Sequence, residues 1–211
     1  MENLEGLVED VRAAFEAKHE VREVALKRSR QLVRMCAKSI RAMHRSEWES
    51  AREQLDAARQ AANDLSRDSK PFPDIYFAGY TQDSLKEYVE AALTYALMQG
   101  ESLPDSTALN VEANTWINGL AEAATELRRR ILDILRHGHS KEAERLLGVM
   151  DEIYSQLVTL DFTDSITGGL RRRTDTVRAV LERTRGDVTN SFRQSQLEAA
   201  LADFQKKVGD G

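Results

Sequence analysis

Apolar and small residues recur every three or four positions through almost the whole chain, which is the period of an amphipathic α-helix. Between residues 25 and 45 the pattern is clearest. Ala25, Ser29, Leu32, Cys36, Ile40 and Met43 take one side of a helix, while Lys27, Arg30, Arg34, Lys38, Arg41 and Arg45 take another. This first helix is predicted from about 4 to 44, with only Gly6 inside it. Ser46 followed by Glu49 reads as a capping box that opens a second helix, ending before Lys70. A proline-rich break is predicted over 70–75, because Pro71 and Pro73 within three residues exclude helix there. Phe72, Tyr76, Phe77 and Tyr80 make this linker the main aromatic cluster, with rings expected to pack on the body. A third helix is predicted over about 83–99, stopped by Gly100, and a fourth over about 111–136, before Gly138. Ser140, with Glu142 and Glu144 in the next turn, starts a fifth from Lys141 to about Leu160. A loop over 161–169 ends in Gly168-Gly169, and the remainder is one long helix or one broken at Gly186. The expected fold is all-α: a single domain over 1–211, built as a bundle of about six or seven helices.

Composition narrows the functional classes. Only 3 Pro and 11 Gly in 211 residues leave too few turn residues for an all-β fold. The single Cys36 excludes a disulfide framework or a cysteine-based zinc or iron–sulfur centre within one chain, and its place on the apolar side of a helix makes it a small hydrophobe. No window approaches the roughly 18 to 20 apolar residues that span a bilayer. The start Met1-Glu2-Asn3-Leu4-Glu5 has no basic n-region. The expectation is a cytoplasmic protein that uses no membrane. The net charge of −5 hides a segregation: residues 18 to 45 carry a local +7, residues 46 to 112 a local −8. A helical charge run is most often a solvated face, but six cations without an interleaved acid repel one another, and so suit a polyanion or the acidic segment of a neighbouring subunit.

The middle helices carry carboxylates in unusual surroundings. Glu87 and Glu90 stand at i, i+3 ahead of an Ala-Ala-Leu-Thr-Tyr-Ala-Leu-Met run, and Glu122 and Glu126 stand at i, i+4 among Gly119, Ala121, Ala123 and Ala124. Each spacing puts its pair on one helical face. Small neighbours let two helices pack at about 8 to 10 Å between axes, so four carboxylates on facing helices can converge. Most helical glutamates are simply surface residues. Converged ones, however, need a cation, and oxygen donors suit Mg²⁺ or Mn²⁺. Ions so held can activate water against a phosphodiester. A di-iron bundle would need two facing Glu-x-x-His pairs, and only Glu16 with His19 matches.

At these residues the chain resembles the translin family, and in particular its translin-associated factor X branch. Leu85-Lys86-Glu87-Tyr88-Val89-Glu90-Ala91 is similar to that branch's LQEYVEA block, and Asn118 to Arg129 is similar to a second block with two acidic residues four apart. Lys27-Arg28-Ser29-Arg30, Lys38 to Arg45, Val177-Arg178-Ala179-Val180 and Thr184-Arg185-Gly186-Asp187 fall in the family's order, so the likeness covers most of the chain. It implies an all-helical subunit assembling into a hollow octamer, RNA or single-stranded DNA as ligand, and Mg²⁺-dependent endoribonuclease activity facing the internal cavity. The branch's four acidic catalytic positions fall on Glu87, Glu90, Glu122 and Glu126. Two departures stand out. Glu122 replaces the branch's usual Asp, lengthening the reach by about 1.5 Å, and Tyr76 to Tyr80 replaces a more basic stretch that carries nucleic-acid contacts in translin, so those contacts are not transferred.

Three functions follow. The first is a homo-oligomeric, Mg²⁺- or Mn²⁺-dependent endoribonuclease in which Glu87, Glu90, Glu122 and Glu126 hold the metal and activate water, while Lys27, Arg30, Arg34, Lys38, Arg41 and Arg45 attract the RNA backbone. The second is a translin-like binder of single-stranded RNA or DNA without turnover. The third is a helical adaptor whose charges are solvated. Among the remaining candidates, His137 and His139 read as helix-end histidines, the runs Arg128–Arg130 and Arg171–Arg173 can each turn only one or two members to any site, and Trp48 and Trp116 read as packing anchors.

Overall fold

The computed structural model describes residues 3–209; Met1 and Glu2, part of the acidic start read above, lie outside the described residues. Among those residues there are eight helices and no strand: α1 (Leu4–His44), α2 (Trp48–Ser69), α3 (Pro73–Tyr76), α4 (Gly79–Gln99), α5 (Ala113–Leu135), α6 (Lys141–Leu157), α7 (Asp164–Thr167) and α8 (Leu170–Gly209). The all-α expectation is met, and the count exceeds six or seven because α3 and α7 are single turns inside segments read as irregular. Among the described residues, no helix is long and apolar enough to cross a membrane. The chain divides into two compact units: described residues up to Ala92 with Pro104–Gly119, and Leu93–Leu103 with the residues from Leu120 onward.

The first unit is organised by an antiparallel pair, α1 against α2. Ala51, Leu55, Ala58, Ala62 and Leu65 recur at steps of four and three on α2, and they are buried with Ala25, Leu32, Cys36 and Met43 of α1. That is a heptad-like seam, with alanines that let the axes approach. Polar ties hold its two ends. Ser39 Oγ donates to the Ala51 carbonyl at 2.7 Å, and Arg28 pairs with Asp68 and donates to the Asp64 carbonyl at 3.0 Å. Ser46 is not the N-cap that the sequence implies. Ser46 sits in the left-handed region at φ 59°, in the turn itself, and Glu47 is the N-cap of α2, without a side-chain capping bond. Pro73 corrects the second expectation: it begins α3 at the first helical position, where a missing N–H costs nothing. Beyond it, Tyr76 is buried, whereas Phe77, edge-on to it at 4.9 Å, is 61 % exposed, so only part of the aromatic cluster packs inward.

In the second unit α6 packs on α8. Ser140 caps α6 as its sequence position implies, accepting from the Ala143 N–H at 3.3 Å. Ala143, Leu146, Met150, Ile153 and Leu157 form the buried stripe of α6, and Leu170, Val177, Leu181 and Val188 that of α8. Gly168 and Gly169, at φ 64° and 84°, supply the left-handed turn between α7 and α8. Gly186 does not break α8, which runs unbroken from Leu170 to Gly209.

Candidate metal and nucleic-acid site

Helix α4 buries Leu85, Tyr88, Val89 and Ala92, and this burial leaves Glu87 and Glu90 one turn apart on another face. Glu87 lies 3.4 Å from the Lys86 ammonium. Helix α5 meets α4 at a glycine: a Cβ on Gly119 would lie 2.5 Å from Val89 Cγ1 and 3.2 Å from the Glu90 amide nitrogen. Glycine inside a helix costs roughly 1 kcal/mol relative to alanine. Here only its missing side chain permits the contact. Glu122 follows three residues later on the same uninterrupted helix, on the face that Gly119 presents to α4. One carboxylate oxygen from each of Glu87, Glu90 and Glu122 lies within 4.8 Å of the others. Glu126 is not in this group.

These three residues offer only hard oxygen donors. Cys36, buried on α1, does not add a thiolate: burial first, then the Glu87 and Glu90 charges, push its thiol far above the usual range. The donor set therefore suits Mg²⁺ or Mn²⁺ and disfavours the softer, sulfur-seeking metals.

Glu122 also has a protein cation. Arg173 Nε donates to Glu122 Oε1 at 2.9 Å, and both side chains are 27 % exposed. Arg173 is positioned by the glycine turn below it, donating to the Gly168 carbonyl at 3.2 Å. Reading the sequence did not single out Arg173, since three adjacent arginines point three ways and nothing local says which turns inward. Of the other run, Arg128 binds Asp187 at 2.9 Å and Thr184 Oγ1 at 3.0 Å, so it ties α5 to α8 within the second unit.

The cationic stripe is exposed along its length. Arg45 forms two hydrogen bonds with Glu47, at 2.7 and 2.6 Å, an arrangement that raises the arginine pKa and lowers that of the carboxylate. Lys27, Arg30, Arg34, Lys38 and Arg41 have no ion pair among the described residues. His139 lies 3.3 Å from Glu144 and against the Phe192 ring, and Trp116 Nε1 donates to the Pro104 carbonyl at 2.9 Å, so both serve packing.

No model of a known protein family matches the chain. Over 195 residues, 89 % of this chain and 84 % of the other, it is 31 % identical to uncharacterized protein MJ0175 of Methanocaldococcus jannaschii. The crystal structure of AfC3PO matches with a TM-score of 0.83 and 33 % identity, over 89 % of this chain and 97 % of that one. AfC3PO in a complex with duplex RNA matches with a TM-score of 0.82 and 31 % identity over the same shares. Apo-NeC3PO, at 20 % identity and a TM-score of 0.80 over 87 % of this chain and 96 % of that one, has the same fold. At the identity and coverage seen with AfC3PO, and with the same all-helical architecture, the chain belongs to the translin/C3PO family.

Proposed function

We propose that this protein binds RNA and cleaves its backbone as a divalent-metal-dependent endoribonuclease, working as a homo-oligomeric, octameric shell with the site on the inner surface. The observation that carries the reading is the convergence of Glu87, Glu90 and Glu122 within 4.8 Å. Three like charges so close repel one another strongly unless a cation sits among them. These three carboxylates would hold Mg²⁺ or Mn²⁺, with Glu126 one turn away on α5 as the fourth acidic residue of the set. A bound ion of this kind polarises a phosphodiester and lowers the pKa of water. The protein's own part is to fix the carboxylates through the α4–α5 contact at Gly119, and to draw the polyanion in with the unpaired cations of α1. The complex of AfC3PO with duplex RNA supports RNA as the ligand class.

One observation favours a second reading, RNA binding without turnover. The Arg173 guanidinium already neutralises Glu122, so a protein cation partly fills the role that a metal would take. Labelled single-stranded RNA incubated with purified protein and Mg²⁺, with and without EDTA, separates the two. Chelator-sensitive cleavage that falls by at least about 100-fold in Glu90→Gln supports the nuclease. Binding without cleavage at any Mg²⁺ or Mn²⁺ concentration establishes the second reading.

A further inference from the structure

Within the first unit a cavity of about 660 Å³ opens between α1 and α4, lined by Ser29, Arg30 and Arg34 on one side and by Tyr80, Asp83 and Glu87 on the other. Its size falls within the roughly 300 to 1,000 Å³ typical of small-ligand sites. Three features of its wall suggest what enters. Arg30 and Arg34 are exposed, lie one helical turn apart, and have no ion pair among the described residues. Ser29 is 4 % exposed, yet its Oγ has no hydrogen-bond partner among the described residues, whereas a hydroxyl so buried ordinarily finds one. Tyr80 adds a half-buried aromatic ring. Glu87 belongs both to this wall and to the carboxylate group, so whatever fills the cavity is adjacent to those carboxylates.

An acidic peptide would satisfy the arginines but would bring further negative charge against Asp83 and Glu87, and would leave the ring unused. A nucleotide offers phosphate to the arginines, an aromatic face to the tyrosine, and polar base edges or a ribose hydroxyl to serine and aspartate. Resting on the RNA reading above, we infer that the cavity receives one unpaired nucleotide of an RNA strand. Arg30 and Arg34 hold its phosphates, Tyr80 stacks on its base, and the Ser29 hydroxyl meets a polar edge. Of the six cations in the stripe, this singles out two as direct contacts and leaves the others to longer-range attraction.

The test measures binding by full-length protein of fluorescein-labelled single-stranded RNA and of a blunt RNA duplex, by anisotropy in EDTA so that nothing is cut. Tyr80→Ala is expected to weaken single-strand binding roughly 5- to 150-fold, with duplex binding little changed and Tyr80→Phe behaving as the native protein. Arg30→Gln with Arg34→Gln, at exposed positions that leave folding intact, should flatten the log–log salt slope for the single strand by about 1.4. Two findings overturn the inference while leaving the RNA reading in place: native affinity in both variants of a protein that binds RNA, or equal loss for single strand and duplex in Tyr80→Ala. A native protein that binds no RNA overturns the RNA reading itself.

Discussion

At the scale of single residues, the convergence of three carboxylates depends on one missing side chain. An alanine at 119 would place its Cβ 2.5 Å from Val89 Cγ1, closer than real contacts allow, so α5 must withdraw from α4. Gly119→Ala is therefore expected to lower stability by about 1 to 3 kcal/mol, the usual cost of overpacking, despite alanine's better helix propensity; urea unfolding measures it. Arg173 is expected to act in the opposite sense on the metal. Arg173→Met removes the guanidinium from Glu122 and should raise Mn²⁺ affinity several-fold, read by calorimetry, whereas unchanged affinity would mean the ion pair and the metal do not compete. Legibility differed between these residues for a physical reason. Glu87 and Glu90 share a face by spacing alone, and the small residues around Glu122 announce close packing. Spacing also puts Glu122 and Glu126 on one face, but which of them reaches α4 is decided by where α5 crosses it, a tertiary fact. Arg173 lies 51 residues along the chain from its partner, and no local period signals such a pair.

At the scale of elements, periodicity carried most of the fold, because it is written over tens of residues, and end signals carried least. Ser140 forms the cap its position implies, while Ser46 takes the left-handed position of the tight turn between α1 and α2 and the N-cap passes to Glu47. Proline at 73 starts a helix rather than forbidding one, since helix entry and helix interior place opposite demands on its missing donor. The turn that follows is fastened by Tyr76, whose hydroxyl donates to Glu112 at 3.0 Å. Burial, then that hydrogen bond and the Glu112 charge, raise the phenol from its ordinary 10.0 to about 12. A raised folded-state pKa means that the unfolded chain loses the proton first as pH climbs. The stabilisation is therefore complete below about pH 10 and disappears as pH rises toward about 12. The difference in urea midpoint between the native protein and Tyr76→Phe should accordingly be constant from pH 7 to 9 and shrink above it; a difference that grows with alkalinity would refute the assignment.

At the scale of the whole molecule, two helix ends expose apolar stripes that are costly to leave in water. On α1, Leu4, Leu7, Val8, Val11 and Phe15 are each about half or more exposed, and on α8 so are Leu197, Leu201, Phe204 and Val208, with Phe15 at 69 % and Phe204 at 64 %. With Leu7 and Val8 side by side and the other steps three or four, they form the seam of a helix–helix contact rather than the scatter of an ordinary surface. These seams belong to helices whose other halves are already buried in α1–α2 and α6–α8 packing. The arrangement suits a second copy of the chain, in keeping with the proposed shell. Each fully buried side chain of this type contributes about 1.5 to 3 kcal/mol, so a contact repeated around a closed ring is lost steeply when one seam residue becomes charged. Leu201→Glu with Phe204→Glu is expected to reduce the mass measured by light scattering toward that of the 23.8 kDa chain, with helical circular dichroism kept, because both residues are exposed in the single chain. If the native protein has the monomer mass at micromolar concentration, these stripes are not subunit contacts and the enclosed site is lost with them. If it is an oligomer that the double variant leaves intact, the shell is held elsewhere.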